Sequence, residues 1–445
     1  MKNILILDPY KKTDYRISKD TSGGYGTGND FGDGFVAKMI KRKLKSSSDW
    51  PPLFLAYSFS VLKKKFNVSY KKIYEINEIT KSIDKFDLFI ISSSIVCSDK
   101  EIEIIKELKN RKKIVVSIGP FATNLPNLYL SAGSSVISGE PEMFFLNEDI
   151  ENIREDPKIY KTSKITDINL LPYPEWQNLM DFKSVKLYGK FKSVPILATR
   201  GCPYSCFRYC VYPLQQGRAV RQRSPDNVMD EIMHWHKNFG VDLFIFRDPV
   251  FSINKKHTID VCNKIIESKI KIKIVIETHL RLLSDDLILK LKSAGLIYVK
   301  VGVENADTDI LSQEKRFTVK TDAQLEVIKK LKNNNIKVSA MYILGYPSDN
   351  EKSINNTINY SIKLNTDYAQ FSIWTPYPGT PAYKDYENKV YDKRYHLFDQ
   401  YRLVYQHSSI NKFKMRELLS FAYRKYYLRF KWIFNFGLKK IYDTL

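Results

Sequence analysis

The sequence is poor in cysteine, histidine and acid, and each shortage excludes something. Five cysteines in 445 residues are too few to staple a chain of this size, so a disulfide framework is excluded and a reducing compartment, the cytoplasm, is expected. No apolar run reaches the ~20 residues that cross a bilayer. The apolar start, Asn3 to Leu7, is too short for a secretory signal and reads as a first buried strand. All six histidines (His234, His236, His257, His279, His396 and His407) lie in the second half, so an N-terminal domain cannot offer an imidazole of its own. Acidic residues number 49 against 71 basic ones, a formal charge of +22. That field favours nucleic acid, anionic lipid or phosphorylated partners without choosing among them. The glycine-rich stretch Thr21 to Gly34 lacks the closing Gly-Lys-Ser/Thr of a phosphate loop. It is expected to be a loop over a bound cofactor or substrate, or a plain linker.

What the chain does have is concentrated. Cys202, Cys206 and Cys210 put three of the five thiols within nine residues, in Arg200-Gly201-Cys202-Pro203-Tyr204-Ser205-Cys206-Phe207-Arg208-Tyr209-Cys210. They follow the apolar run Val194 to Thr199, so they read as a metal loop at the end of a strand. Soft thiolates select zinc, copper(I) or an iron-sulfur cluster. Structural zinc wants four protein ligands, and only three stand here, with no histidine close in sequence. Three thiolates on a four-iron, four-sulfur cluster would leave one iron open to a ligand that is not protein.

With Gln216-Gly217-Arg218 and Arg223-Ser224-Pro225 beyond it, this loop resembles the cluster loop of the radical S-adenosylmethionine (SAM) superfamily, in particular members with an N-terminal cobalamin-binding domain. The gap Phe207-Arg208-Tyr209 is one residue longer than the usual second spacing, and Tyr209 keeps the aromatic position before the last cysteine. The resemblance implies a 4Fe-4S cluster on Cys202, Cys206 and Cys210. Its open iron would chelate the methionine end of SAM. An electron from a donor such as flavodoxin or ferredoxin would then cleave SAM to a 5'-deoxyadenosyl radical. Cobalamin is the third cofactor implied.

A chain of this length exceeds one ordinary core, and 43% hydrophobic residues suit a globular protein. The expected fold is α/β, with a doubly wound, Rossmann-like parallel sheet of cobalamin-binding type over 1–150. A Pro-interrupted connector over 151–190, a partial (β/α)6 barrel over 191–385 and a basic, aromatic helical region over 386–445 follow it. In the first domain, strands at 3–7, 86–92, 113–118 and 135–138 alternate with helical stretches such as 100–111. Ligands of such sheets sit at the carboxyl ends of the strands, where Ser93, Gly119 and Gly139 form a small-residue rim suited to cobalamin. Six barrel strands are expected at 194–199, 243–246, 272–277, 298–303, 337–344 and 368–374.

The carboxyl ends of those strands carry the candidates for SAM. Glu277 and Glu304 suit its ribose or ammonium, Arg247 or Arg281 its carboxylate, and Tyr209 and Gly345 its adenine side. His279 reads as a pocket wall, and Cys97 and Cys262 as buried thiols. Phe421, Tyr423, Tyr426, Tyr427, Phe430, Trp432, Phe434 and Phe436 recur at helical spacing among basic residues. Such a helix either docks on the barrel or makes a peripheral membrane contact. The function expected is cobalamin-dependent methylation, or radical ring formation, at an unactivated carbon of a small-molecule or lipid-linked substrate. A radical SAM enzyme acting on tRNA, and a non-enzymatic zinc or iron-sulfur protein, are the other readings.

Overall fold

The apolar runs form the strands of two parallel sheets in a computed structural model that describes residues 2–19, 24–45, 50–148, 150–181, 186–187 and 191–434. The first sheet is built from β1 (Asn3–Pro9), β2 (Asn67–Ile73), β3 (Leu88–Ser92), β4 (Ile114–Ile118), β5 (Ser135–Ser138) and β6 (Ile159–Lys161). Their order is β2-β1-β3-β4-β5-β6, all parallel. Covered on both faces, β1, β3 and β4 are continuous apolar runs, which is why they were legible. β2 escaped the sequence reading because it is an edge strand whose Ser69, Lys71 and Lys72 break the apolar run. β6 carries the sheet past residue 150. The order reverses between β1 and β3, the switch point where such sheets open a crevice.

Helix α1 (Phe35–Lys45) precedes α2 (Leu53–Lys63), and α3 (Ser98–Asn110) follows β3. Every residue of α2 from Leu53 to Leu62 is buried. A helix apolar on all sides has protein on all sides, and α2 is enclosed between the first sheet and the second domain.

The second sheet runs in sequence order: β7 (Phe191–Ile196), β8 (Leu243–Phe246), β9 (Lys273–Thr278), β10 (Leu296–Glu304), β11 (Lys337–Leu344) and β12 (Tyr368–Ile373). All six are parallel, and the two-residue strand Lys186–Leu187 edges β7 antiparallel. The helices between them are α4 (Pro225–Phe239), α5 (Lys255–Glu267), α6 (Asp285–Ser293), α7 (Thr321–Asn333) and α8 (Glu351–Leu364). Ser224 and Asn254 accept from the third residue of their helices, and Asn350 with Ser353 forms a capping box. Six βα units make the expected partial barrel.

A partial barrel leaves a free edge, and β12 is that edge. Helix α9 (Lys412–Tyr427) covers it with side chains. Tyr423 Oη accepts from Phe371 N and donates to Phe371 O, at 3.0 and 2.8 Å. Tyr427 Oη does the same for Ala369, at 3.2 and 2.7 Å, and Trp432 Nε1 donates to Asp367 O at 2.7 Å. The alternating residues 367, 369 and 371 expose the unpaired backbone groups of an edge strand, and aromatic side chains satisfy them in place of another strand. The aromatic spacing of the C-terminal region is thus the spacing of this ladder. Phe436 lies outside the described residues.

The described part of the glycine-rich stretch also packs here. Asp30 pairs with Lys41, Arg402 and Arg416, and Phe31 packs edge-on against Tyr401 and Tyr423. Tyr25 Oη donates to Pro378 O at 2.8 Å. From Gly24 onward the stretch is a clasp between the chain's two ends; residues 20–23 lie outside the described set.

Replacing Tyr423 and Tyr427 with Phe keeps their shape and removes the ladder bonds. Each single substitution is expected to lower the unfolding free energy by about 1–3 kcal/mol, and the pair by more. Denaturant titration checks this; an unchanged midpoint in the double variant would show that the edge is satisfied without them.

Candidate active site

After β7 the chain turns into a two-residue hairpin strand, Thr199–Arg200, paired with Arg221–Gln222, and the cysteine loop hangs between them. Asp248, just past β8, holds the start of this turn. Its carboxylate accepts from Ala198 N at 3.2 Å and Thr199 Oγ1 at 2.7 Å. Gly201 needs its left-handed φ of +92°, and a Cβ there would lie 2.0 Å from Ala219 O. The residue added between the second and third cysteines is taken up by the 3-10 turn Ser205–Arg208. After it, Cys210 N donates to Cys206 O at 3.0 Å, so those two thiols sit one helical turn apart. Cys202 and Cys206 are buried and Cys210 half-buried. Burial raises the thiols of Cys202 and Cys210 above their ordinary range, and the neighbouring Cys206 adds to it. Among the described residues no three Cys, His, Asp or Glu side chains gather closely enough for a single metal ion.

Around Cys206 the carboxyl ends of β9, β10 and β11 converge. Glu304 ends β10 at a register shift, with φ +71°, a conformation rare for a side-chain-bearing residue and of the kind stored at functional sites. Burial raises its pKa, Arg316 opposes the rise, and Glu277 at the end of β9 adds to it. The two carboxylates are thus electrostatic neighbours. Arg316 is the residue that sequence reasoning missed. Its guanidinium donates to Cys206 Sγ at 3.6 Å and to Gly302 O at 3.1 Å, and pairs with Glu304 Oε1 at 3.2 Å. Burial disfavours that charge, but Glu304, Tyr209 and Cys206 outweigh burial and hold the guanidinium protonated. In the sequence it lies in Glu314-Lys315-Arg316, which reads as a solvated charged turn; only burial marks it.

Tyr209 faces Tyr346 edge-on at 5.8 Å, with their hydroxyls 3.4 Å apart. Gly345, at φ +75°, and Tyr346 both donate their N–H to Asp349 Oδ2 at 3.0 Å, and Tyr405 Oη donates to Gly345 O. A Cβ on Gly345 would meet Met415 Cε at 2.5 Å, so the C-terminal region backs this strand end directly. His279 is buried between Tyr204 and Phe317, and burial, then Arg316 and Arg281, lower its pKa to about 4. It is a neutral wall of the site. Of the other candidates, Arg281 lies 3.9 Å over the Phe317 ring, and Arg247 is half-buried at the end of β8, two strands from β10. The structure thus brings Cys206, Tyr209 and Glu304 around Arg316, with Glu277 beside Glu304 and Gly345 next to Tyr346, the partner of Tyr209.

This loop also touches the first domain. Arg200 Nη2 donates to Glu142 Oε1 at 2.8 Å, and Arg221 forms a two-pronged pair with Glu140 at 2.6 and 2.9 Å. Both acids follow β5. Despite burial, Arg200 and Arg221 hold Glu140 below its ordinary pKa. A cavity of about 10 Å³, room for one water, lies between the two domains, lined by Phe54, Glu142, Arg200 and Gln216 among others.

Residues 196–360 match the family model of the radical SAM superfamily. The chain carries a radical SAM domain. An uncharacterised methyltransferase of Pyrococcus horikoshii is 26% identical over 88% of this chain and 90% of its own length. The bacteriochlorophyllide d C-12(1)-methyltransferase of Chlorobaculum tepidum is 24% identical over 82% and 80%. Among solved structures, the radical SAM methyltransferase TsrM from Kitasatospora setae, with cobalamin and a [4Fe-4S] cluster bound, superposes with a TM-score of 0.64. At 14% identity over 87% of this chain and 75% of that one, it shares the fold of both domains. The radical SAM domain implies a 4Fe-4S cluster, SAM, a reductant and a small-molecule substrate. The three thiols with Glu304, Glu277 and Arg316 beside them are chemically matched to the first two. Thiolates ligate iron, paired carboxylates suit a cationic cofactor with an ammonium and a ribose, and a half-buried guanidinium suits a carboxylate.

Burial pushes the Asp248 carboxyl up to about 6. The folded chain therefore holds a proton that the unfolded chain has released, and stability falls as pH rises from about 4 through 6. Across that window, wild type is expected to lose on the order of 3 kcal/mol more than Asp248→Asn. Parallel curves from denaturant titrations at several pH values would remove Asp248 as their source.

Proposed function

We propose that this chain uses its SAM-derived radical to transfer a methyl group, with the help of cobalamin, to an unactivated carbon of a small-molecule or lipid-linked substrate. The observation that carries the reading is the meeting of the cysteine loop with the carboxyl edge of a doubly wound sheet, through Arg200, Arg221, Glu140 and Glu142. The methyltransferase relatives and the shared fold of TsrM support it. Bound there, cobalamin would supply a methyl carrier within reach of the radical chemistry. Ser93, Gly119 and Gly139 are the residues of the rim that would receive it, and the buried Ser92 Oγ has no partner among the described residues. Two features shape that fit. Phe54 covers Gly119, where a Cβ would lie 2.6 Å from its Cζ, so this ring would have to move for a corrin to reach Gly119. Lys19 fills the switch point itself, with its ammonium 3.0 Å from Glu101, 3.3 Å from Asp8 and 2.6 Å from Pro9 O.

Anaerobically reconstituted protein is expected to hold about four iron and four sulfide per chain, and to convert SAM to methionine and 5'-deoxyadenosine under reduction. Cys206→Ala should lose the intact cluster. Glu304→Gln should keep it while weakening SAM binding. Stoichiometric zinc, or a full cluster in Cys206→Ala, would overturn the site; unchanged SAM affinity in Glu304→Gln would remove that carboxylate from it.

The first domain has no histidine of its own, yet one reaches it from the C-terminal region. His396 Nδ1 lies 3.4 Å from Asp99 at the start of α3. This imidazole is already engaged by Asp99, so cobalamin should bind without a protein nitrogen on cobalt, its own benzimidazole displaced. Electron paramagnetic resonance of the cobalt(II) form should then show no nitrogen triplet in wild type or in His396→Ala. A triplet lost in that variant would make His396 the ligand. No corrinoid binding at all would leave ring formation or coupling as the reaction.

A further inference from the structure

Two segments that pack together carry an unusual surface. Helix α1 packs against α9, and just before α1 Asp33 donates its N–H to Ser420 Oγ at 2.8 Å and pairs with Arg416 at 2.8 Å. Twelve large hydrophobic side chains are exposed among the described residues, and six of them lie on residues 35–45 and 412–434: Phe35, Met39, Phe413, Leu428, Phe430 and Phe434. Scattered exposed hydrophobics need no explanation, but half of them on two adjoining elements do. Phe35, Phe413 and Phe430 are 80%, 76% and 77% exposed. The ladder on β12 does not use them; it occupies Tyr423, Tyr427 and Trp432, on the buried side.

The charge of these segments has one sign. Residues 35–45 contain no acid, and residues 412–434 contain Glu417 alone. The exposed Lys38, Arg42, Arg424 and Lys431 stand among the apolar side chains. Phenylalanine, leucine and methionine interleaved with cations on a helix that does not span fit the interface of an anionic bilayer. The apolar groups enter the acyl boundary and the cations meet the headgroups. Leucine and methionine have no flat face to stack on a base, which favours lipid over nucleic acid. No helix among the described residues is long and apolar enough to cross a membrane, so the contact would be peripheral.

We propose that α1 and the α9 region form a docking face for an anionic membrane surface, which brings the active site to a lipid-borne substrate. This deepens the proposed function and rests on it for the substrate class. The face itself is tested without it. Reconstituted protein is sedimented with vesicles of phosphatidylcholine alone, or with phosphatidylglycerol added. Binding should be at least about tenfold stronger to the anionic vesicles and persist in part at about 0.5 M salt. The double variant Phe430→Ser, Phe434→Ser should cut it by about fivefold or more, with iron content and SAM cleavage in vesicle-free solution unchanged. Absence of binding to anionic vesicles overturns the proposal. So does binding that ignores the phenylalanines and vanishes in salt, which is adsorption of a basic protein. Dimerisation or tRNA binding that depends on the same phenylalanines, without vesicle binding, would assign the face to a second copy or to RNA. Loss of SAM cleavage in wild type would count against the function and leave the face standing.

Discussion

The buried ion network between the two domains is the constraint on which the site depends. Arg200 and Arg221 face each other across the two-residue hairpin that carries the cysteine loop, and Glu140 and Glu142 receive them from the edge of the first sheet. Buried pairs of this kind add little net stability against an apolar alternative, but losing one partner leaves a stranded charge and costs several kcal/mol. Their effect is therefore positional. The loop between them, residues 201–220 with three thiols, has many conformations of similar energy; two guanidinium forks fixed in direction by carboxylates leave it few. Arg200 also lies over the ring of Tyr57 on α2, 5.4 Å from its centre, so the helix that is apolar on all sides closes the same joint. The first domain contributes to the active site even before any ligand of its own is considered.

Much of this was legible in the sequence, for physical reasons that differ by element. Strands covered on both faces, such as β1, β8 and β11, appear as unbroken apolar runs and were placed to within a residue or two. The edge strands β2 and β6 have one neighbour each, need less apolar surface, and were not found. The cysteine loop was legible because three thiols in nine residues have few other uses. Arg316 was not, because a buried guanidinium and a solvated one look alike in Glu314-Lys315-Arg316. His396 was hidden for another reason: counting histidines by position in the chain cannot show that the C-terminal region folds back to Asp99. Lys19 is a third case, a buried cation whose partners Asp8 and Glu101 come from distant stretches.

The aromatic C-terminal region resolves into two chemistries on one stretch. Its inward side chains complete a sheet edge that would otherwise be open to another strand, and the same region supports the carboxyl end of β11 through Tyr405 and Met415. His407 Nε2 meets Tyr346 O at 2.8 Å in the same place. Sheet edge and site geometry are thus both backed by the C-terminal region: α9 covers β12 and packs Met415 beside Gly345, while Tyr405 and His407, ahead of α9, hold the carbonyls of Gly345 and Tyr346. Among the described residues its outward side chains have no such backbone partners, which is why they can serve an outside surface.

At the centre of the site, charge and strain act together. Glu304 takes a left-handed backbone conformation at a register shift, and this turns its carboxylate toward Arg316 and the thiols. Burial is the largest cause of the raised pKa of Glu304; Arg316 opposes it, and the neighbouring Glu277 adds to it, so the carboxylate is held in a desolvated place with a guanidinium as its partner. A cofactor carrying a sulfonium, an ammonium and a carboxylate brings a net positive charge and offers a partner of the right sign to each group. Binding would then give these desolvated groups charged partners, so the preference for SAM would begin in the protein's own electrostatics as well as at an open iron.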